Sequence, residues 1–182
     1  MGLGSGPIWM AAGLGNPGDR YSKTRHNAGA RAVGRLAGDL GVKLRPARSK
    51  ALVADTVTDG VRLVLACPQS FMNESGRPIA ALLRFFKVEP ENLIIVHDEI
   101  DLVTAKLKVK FGGGSAGHHG VESVVKALGT KDFHRVRIGV GRPLNPRVDP
   151  ADYVLEAMSK KSLEELAEAE ERAAQAVLSI IH

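Results

Sequence analysis

Apolar and polar positions along the chain follow two periods, one typical of strands and one typical of helices. Short continuous or alternating apolar runs predict strands at residues 8–14, 50–57, 61–67, 93–97, 105–110 and 135–140. Apolar residues at helical spacing predict helices at residues 29–40, 77–87, 121–128 and 163–181. Strands mixed with helices in this order predict an α/β sandwich with a mixed sheet.

Local turn and capping signals refine these boundaries. Asp59-Gly60 lies between two strands and is a hairpin signal, so we expect part of the sheet to be antiparallel. Ser162 and Glu165 have the spacing of a capping box, which predicts that the last helix opens there. Asn27 precedes the helix at 29–40 and predicts a side-chain cap at its start.

Length and composition favour one domain in a reducing compartment. The 182 residues suit a single domain, which we expect at 8–182 after a flexible extension at 1–7. The one cysteine, Cys67, cannot form an internal disulfide and is interpreted as structural, which favours the cytoplasm. We expect no membrane span, because no apolar run approaches roughly 20 residues. The N-terminus shows no secretory signal.

The charge is unevenly distributed. Residues 1–148 hold 22 Lys/Arg and 12 Asp/Glu, whereas residues 149–182 hold 3 and 8. A basic body followed by an acidic helix indicates a polyanionic partner such as nucleic acid, and an ordinary solvated surface is the alternative. Aromatic residues make up only 4% of the chain, which argues against stacking platforms for single strands.

The first candidate site is the glycine turn Gly13–Gly18, which follows a strand with the spacing of a dinucleotide-binding fingerprint. Against a dinucleotide, Pro17 removes an amide that would face phosphate, and no helix starts directly after the turn. No acidic residue ends a second strand about 20 residues later. A tight turn explains the glycines but not Asn16, a polar side chain at the strand end where ligands of α/β proteins gather.

A histidine and a group of carboxylates form the second candidate. His26 lies in the loop between the first strand and the first helix. A loop histidine is more often a plain surface residue than a catalyst, but a capped helix start would hold this one in place. His97, Asp98 and Asp101 end a buried strand, and their spacing fits no defensible metal-ligand pattern. The sharper interpretation is that Asp98 orients a histidine and supports the charge that forms on it.

Two loops supply further candidates. In the segment at 71–76 (FMNESG), Phe71 and Met72 are predicted to be core, and Ser75 or Asn73 to cap the next helix. The amide of Asn73 is also a candidate donor to a developing oxyanion. The glycine-rich loop at 112–120 resembles a mobile lid beside a strip of lysines, and a flexible connection is the alternative.

The motifs GLGNPG, TRHNAG, FMNESG and HDEIDL, with the glycine loop after them, resemble those of bacterial-type peptidyl-tRNA hydrolases in their order. The similarity runs from about Trp9 to about Leu155. It implies a monomeric, single-domain α/β/α sandwich with a twisted mixed sheet flanked by helices. It also implies a cytoplasmic enzyme with no cofactor, no metal and no covalent intermediate. The implied substrate is the ester that links a peptide to the 3'-terminal ribose of tRNA.

The resemblance also assigns roles to residues of this sequence. The family's catalytic histidine falls on His26, its partner carboxylate on Asp98, and two asparagines that hold substrate and water on Asn16 and Asn73. His119 stands where the family usually has asparagine, so the charge there would vary with pH. Contacts with peptide or tRNA are implied for Tyr21, Phe71, Met72, Gly117, His119, Lys108, Lys110 and Arg137, with Lys106 and Arg135 completing a basic rim.

These assignments define one mechanism and two rivals. We hypothesise that His26, oriented by Asp98, removes a proton from the water that attacks the ester, while Asn73 stabilises the oxyanion and Asn16 positions the substrate. An RNA-binding module without catalysis is the first rival, and a cleavage assay separates it from the enzyme. A nucleotide-dependent oxidoreductase built on Gly13–Gly18 is the second, and absence of nicotinamide binding would dismiss it.

Overall fold

The computed structural model describes residues 6–182, so most of the extension predicted at 1–7 lies outside the described residues. The strands are β1 (Trp9–Gly13), β2 (Arg45–Ala47), β3 (Ala51–Thr58), β4 (Val61–Pro68), β5 (Leu93–Glu99), β6 (Leu107–Phe111) and β7 (His134–Gly139). The helices are α1 (Ala28–Asp39), α2 (Gly76–Phe86), α3 (His119–Leu128), α4 (Pro150–Tyr153) and α5 (Lys160–Ile181). Within residues 6–182, no helix is both long enough and apolar enough to cross a membrane.

The seven strands form one mixed sheet in the order β2-β3-β4-β1-β5-β7-β6. The four consecutive strands β4, β1, β5 and β7 are parallel, so their carboxyl ends meet at one edge. The pairs β3–β4 and β6–β7 are antiparallel, and the hairpin predicted at Asp59-Gly60 is confirmed. Strand β2 was missed because Pro46 lowers strand propensity, and it lies at the edge, where proline is tolerated.

Helices cover both faces of the sheet, which confirms the predicted sandwich. Alternate strand residues point to opposite faces, so each strand contributes to two cores. On one face, Ala11, Leu65 and Ile94 pack with α1 and α5. On the other face, Met10 and Ile95 pack with α2 and α3.

Two glycines let α1 approach the sheet closely. A side chain at Gly29 would collide with the carbonyl oxygen of Val96 in β5. A side chain at Gly13 would collide with the carbonyl of Gly29 in turn. This contact brings the first turn of α1, and the loop before it, against the carboxyl ends of β1 and β5.

Two predicted boundaries were wrong and one helix was not predicted, each for an identifiable reason. Helix α5 begins at Lys160 rather than after a capping box, because Ser159 is its cap and accepts a hydrogen bond from the Ser162 amide. Strand β6 begins at Leu107, since Ala105 has a left-handed backbone conformation that ends the extended pattern. The short helix α4, capped by Asp149, was not predicted, because four residues are too few for a periodic signal.

Candidate active site

The loops that follow the parallel strands meet at the carboxyl edge of the sheet. The loop after β1 carries Asn16 and leads to His26, and the loop after β4 carries Asn73. Asp98 lies at the carboxyl end of β5 itself. In α/β proteins this edge is where ligands bind, and it is where most of the residues predicted from sequence lie.

A buried carboxylate holds the imidazole of His26. His26 Nδ1 lies 2.9 Å from one oxygen of Asp98 and 3.1 Å from the other, and Asp98 is only 2% exposed. Burial disfavours the charged imidazole, but the attraction and hydrogen bond of Asp98 outweigh it, so the pKa of His26 is raised above its ordinary value. Because Nδ1 is engaged, Nε2 is left as the free nitrogen of a ring that lines a cavity.

A second histidine binds the same carboxylate. His118 Nε2 lies 2.8 Å from Asp98 Oδ1. His118 Nδ1 accepts hydrogen bonds from the amides of Gly120 and Val121, which caps the start of α3. A nitrogen that accepts two amide protons carries none itself, so the proton of His118 is on Nε2 and is donated to Asp98. His118 is therefore a neutral donor, fixed in one tautomer by the helix that it caps.

These two donors keep Asp98 ionised. Burial would raise the pKa of the Asp98 carboxyl, but the attraction of His26 and the hydrogen bonds from His118 and His26 hold it well below its usual range. Asp98 is thus a stable negative charge in a buried setting, and its two oxygens face two imidazoles.

A third histidine, His97, packs behind this pair as a neutral group. Its ring meets that of His118 edge-on, with centroids 4.8 Å apart. Burial lowers the pKa of His97 to about 3. His97 Nδ1 donates to the backbone oxygen of Asp98 at 2.7 Å, which helps to hold the end of β5.

Hydrogen bonds of Asn27 and Asn16 connect three of the sequence motifs, and we call these two residues the asparagine clasp. The side chain of Asn27 accepts from the Asn16 amide and donates to the Asn16 carbonyl, both at 2.9 Å. The expected side-chain cap by Asn27 is therefore wrong, because its side chain is used in this clasp. Asn16 Oδ1 accepts from the Met72 amide at 2.7 Å, which directs the Asn16 NH₂ group away from that contact.

The remaining residues of the segment at 71–76 lie differently from expectation. Met72 is buried, as predicted, but Phe71 is 57% exposed, so its assignment to the core was wrong. Asn73 is exposed, and its side chain caps no helix. Ser75 occupies the N-cap position of α2, but its hydroxyl donates to the Met72 carbonyl instead of capping the helix.

A cavity of about 420 Å³ opens beside the two histidines. Gly117 and His119 of the glycine loop line it, as do Arg142 and the apolar side chains of Val154 and Leu155. Among residues predicted from the sequence to contact substrate, Tyr21, Phe71, Met72, Asn16 and Asn73 do not line this cavity. The site therefore has two sides, with the asparagine clasp on one and the cavity on the other.

The predicted basic residues separate into exposed and buried groups. Lys108 and Lys110 are exposed on β6, opposite Arg137 and Arg135 of β7 in the register of the sheet. Arg137 pairs with the buried carboxylate of Glu99, with Nε 3.1 Å from Oε1. Arg135 is only 2% exposed and donates to the Gly114 carbonyl at 2.6 Å. Arg135 thus supports the glycine loop and does not belong to the surface rim.

The cluster of His26, Asp98 and His118 places three possible ligand atoms within 4.8 Å of one another. Its hydrogen bonding does not suit a metal ion, because Nε2 of His118 must keep its proton while Nδ1 caps α3. Both oxygens of Asp98 already accept from imidazoles. An ion would have to displace these donors and break the helix cap.

His118 is the main site residue that sequence reasoning did not identify. It lies in the glycine-rich segment interpreted as a lid or a flexible connection, and the helix was predicted to start two residues later than it does. The available signal was its position directly before α3, where a side-chain acceptor caps the helix. Histidine is not a preferred capping residue, so this signal was weak.

Comparison with known proteins gives a consistent result over nearly the whole chain. The family model described as peptidyl-tRNA hydrolase matches residues 10–182. A peptidyl-tRNA hydrolase of Frankia casuarinae is 49% identical over 98% of this chain and 89% of its own length. One of Mycobacterium tuberculosis is 48% identical over 94% of this chain and 90% of its own.

Solved structures show the same likeness. The crystal structure of peptidyl-tRNA hydrolase from Acinetobacter baumannii superposes with a TM-score of 0.89 at 31% sequence identity. The match covers 98% of this chain and 91% of the other.

Proposed function

Because the chain belongs to the peptidyl-tRNA hydrolase family, we propose that it hydrolyses the ester between a peptide and the 3'-terminal ribose of tRNA, releasing both. The observation that carries the chemistry is the contact between His26 and the buried carboxylate of Asp98 beside a cavity. A carboxylate on one nitrogen of an imidazole fixes its tautomer and makes the other nitrogen a base.

In this mechanism His26 is the general base. Its Nδ1 proton stays on the Asp98 side, and Nε2 removes a proton from the water that attacks the ester carbonyl. The imidazolium that forms is stabilised by Asp98, which stays ionised throughout. The proton then passes to the leaving ribose oxygen, so no covalent intermediate with the enzyme is needed.

The asparagines serve the substrate side of the reaction. We assign Asn73, whose side chain is exposed, and nearby backbone amides to the developing oxyanion, where one donor is typically worth about 10²–10³ in rate. Asn16 positions the substrate with its NH₂ group, because the Met72 amide already occupies its oxygen. The clasp with Asn27 keeps this group in a fixed place.

Peptide and tRNA would occupy different surfaces. The cavity beside His26, with Gly117, His119, Val154 and Leu155 in its walls, suits the peptide. We also assign Tyr21, Phe71 and Met72 to contacts with the substrate. Since Met72 is buried, its contribution comes through its backbone contact with Asn16.

Lysines on the edge strand suit the tRNA backbone. Lys108 and Lys110 are exposed and, being two residues apart in β6, point to the same face of the sheet. Glu99 neutralises only Arg137. A phosphate near Lys108, Lys110 and Arg137 would pair with the two exposed ammonium groups.

We further propose that residues 8–182 act as one monomeric domain.

The direct test is hydrolysis of a defined peptidyl-tRNA, with the matching aminoacyl-tRNA as the comparison substrate. We expect turnover of the peptidyl-tRNA, little turnover of the aminoacyl-tRNA, and the same rate with and without a chelator. Discrimination follows if the site engages a peptide amide that the aminoacyl ester lacks, since unpaired polar groups are costly. Binding of tRNA without hydrolysis would instead identify an RNA-binding module.

The double substitution Lys108→Ala and Lys110→Ala tests the tRNA surface. Removing two phosphate contacts should raise KM while kcat changes little. The slope of log KM against log salt concentration should decrease by about one to two. Lys160→Ala and Lys161→Ala, at the start of α5, form a matched control with the same change in net charge. An equal effect of both pairs on the salt dependence would refute the assignment.

A further inference from the structure

A buried ion pair joins α5 to α1 near the segment that carries His26. Glu170 of α5 is only 1% exposed, and its neighbours on the buried face, Ala169 and Ala173, are apolar. Arg31 of α1 donates its Nε to both carboxylate oxygens of Glu170 at 3.0 Å. A buried carboxylate is costly to desolvate, so its presence in an otherwise apolar helix contact calls for a reason.

Nη1 of the Arg31 guanidinium points to the loop before His26. Its Nη1 donates to the backbone carbonyls of Ser22 at 2.9 Å and Thr24 at 2.6 Å. Thr24 is fully buried, and its hydroxyl donates to the Tyr21 carbonyl. One side chain therefore connects α5, α1 and two turns of the loop that leads to His26.

The same loop is fastened from the other side by the segment at 154–158. The His26 amide donates to the Val154 carbonyl at 2.9 Å, and the Met158 amide donates to the Lys23 carbonyl at 2.9 Å. These backbone bonds hold the loop to that segment. The carbonyls bound by Arg31 hold it to the two helices, so the imidazole is located from two directions.

We propose that Arg31 and Glu170 are positioning residues for the reaction: Glu170 fixes the guanidinium of Arg31, which holds the loop that sets His26 against Asp98. This inference rests on the proposed role of His26 as the base. Helix packing alone does not require the charges, because an apolar pair of similar volume often stabilises as well as a buried ion pair. An apolar pair cannot, however, donate hydrogen bonds to the two loop carbonyls.

The double substitution Arg31→Met and Glu170→Leu separates these two contributions. It keeps an apolar contact between α1 and α5 and leaves no buried charge unpaired. We expect thermal unfolding near that of the unsubstituted protein, with kcat lower by about 10- to 100-fold and KM nearly unchanged, because a small misplacement of a catalytic group is costly.

A titration of His26 gives a reading that a purely structural role would not change. Followed by NMR without substrate, the imidazole pKa should fall in the double variant, because a looser contact with Asp98 leaves burial as the dominant influence. The acid limb of kcat against pH should move to lower pH by the same amount. The charged and titratable groups that line the cavity with His26 are unchanged in this variant, namely Asp98, Glu99, His118, His119 and Arg142.

Arg35→Met is the matched control. Arg35 approaches Glu170 at 3.8 Å but donates to neither loop carbonyl, so its loss should leave kcat within about twofold. Wild-type kcat and an unshifted His26 titration in a folded double variant would overturn the inference. If the double variant does not fold, the inference is tested with Arg31→Lys. The single ammonium group of lysine cannot make both the contacts with Glu170 and those with the two loop carbonyls, so kcat should fall. Wild-type kcat there would also overturn it.

The titration keeps this inference separate from the proposed function. If substitution of His26 leaves turnover intact, the proposed base is wrong, whereas the shift in the His26 pKa still reports whether Arg31 and Glu170 position that ring.

Discussion

Replacing His26 with alanine is expected to lower kcat by about 10²–10⁴-fold, the range usually lost with a general base. KM should change little, because the proton is removed only as the ester is attacked. The fold should survive, since the ring is partly exposed and its loop is held by backbone contacts that alanine retains. The measurement is steady-state hydrolysis of a defined peptidyl-tRNA, corrected for spontaneous hydrolysis of the ester.

His134→Gln provides the matched control for the loss of an imidazole. His134 begins β7 at the opposite edge of the sheet, where its ring packs against Trp9 and Phe111. Its substitution should leave kcat close to that of the unsubstituted protein. Turnover by the His26→Ala variant within a few-fold of that value would show that another group is the base.

The layered fold could be predicted because its signals are local. The alternation in β3 and β4, with Asp59-Gly60 between them, identifies a hairpin without knowledge of other elements. From the sequence alone, Gly13 was interpreted only as part of a tight turn, and Gly29 was not interpreted. Their necessity comes from a close approach of β1, β5 and α1, which are distant in the chain.

In the site, too, contacts between residues that are distant in the chain could not be predicted from local signals. His26 and Asp98 could be paired in advance through the family resemblance and the chemistry of a carboxylate at a strand end, and the structure brings them into contact. His118 could not, because its two roles depend on where α3 begins and on which nitrogen the amides occupy. Glu170 appeared as one acid in an acidic helix, and only the packing of α5 on α1 buries it against Arg31.

Replacing Asp98 with asparagine is expected to lower kcat by up to about 10⁴-fold with little change in KM. The variant keeps the shape of the side chain but removes the charge that supports the imidazolium. Its NH₂ group can also donate to Nδ1 of His26, which places the ring proton on Nε2, where the base must accept one. The carboxylate now raises the pKa of His26, so its loss should move the acid limb of kcat against pH downward.

His118→Asn removes one hydrogen-bond donor from Asp98 and leaves the charge of Asp98 in place. Asparagine caps helices well, so α3 should keep its start, but the shorter side chain no longer donates to Asp98. Asp98 stays ionised and loses one of its two donors, so its charge acts more strongly on His26. The acid limb should therefore move to higher pH, opposite to Asp98→Asn, with kcat lower by less than about tenfold. Shifts in the same direction for both variants would contradict a carboxylate shared between two imidazoles.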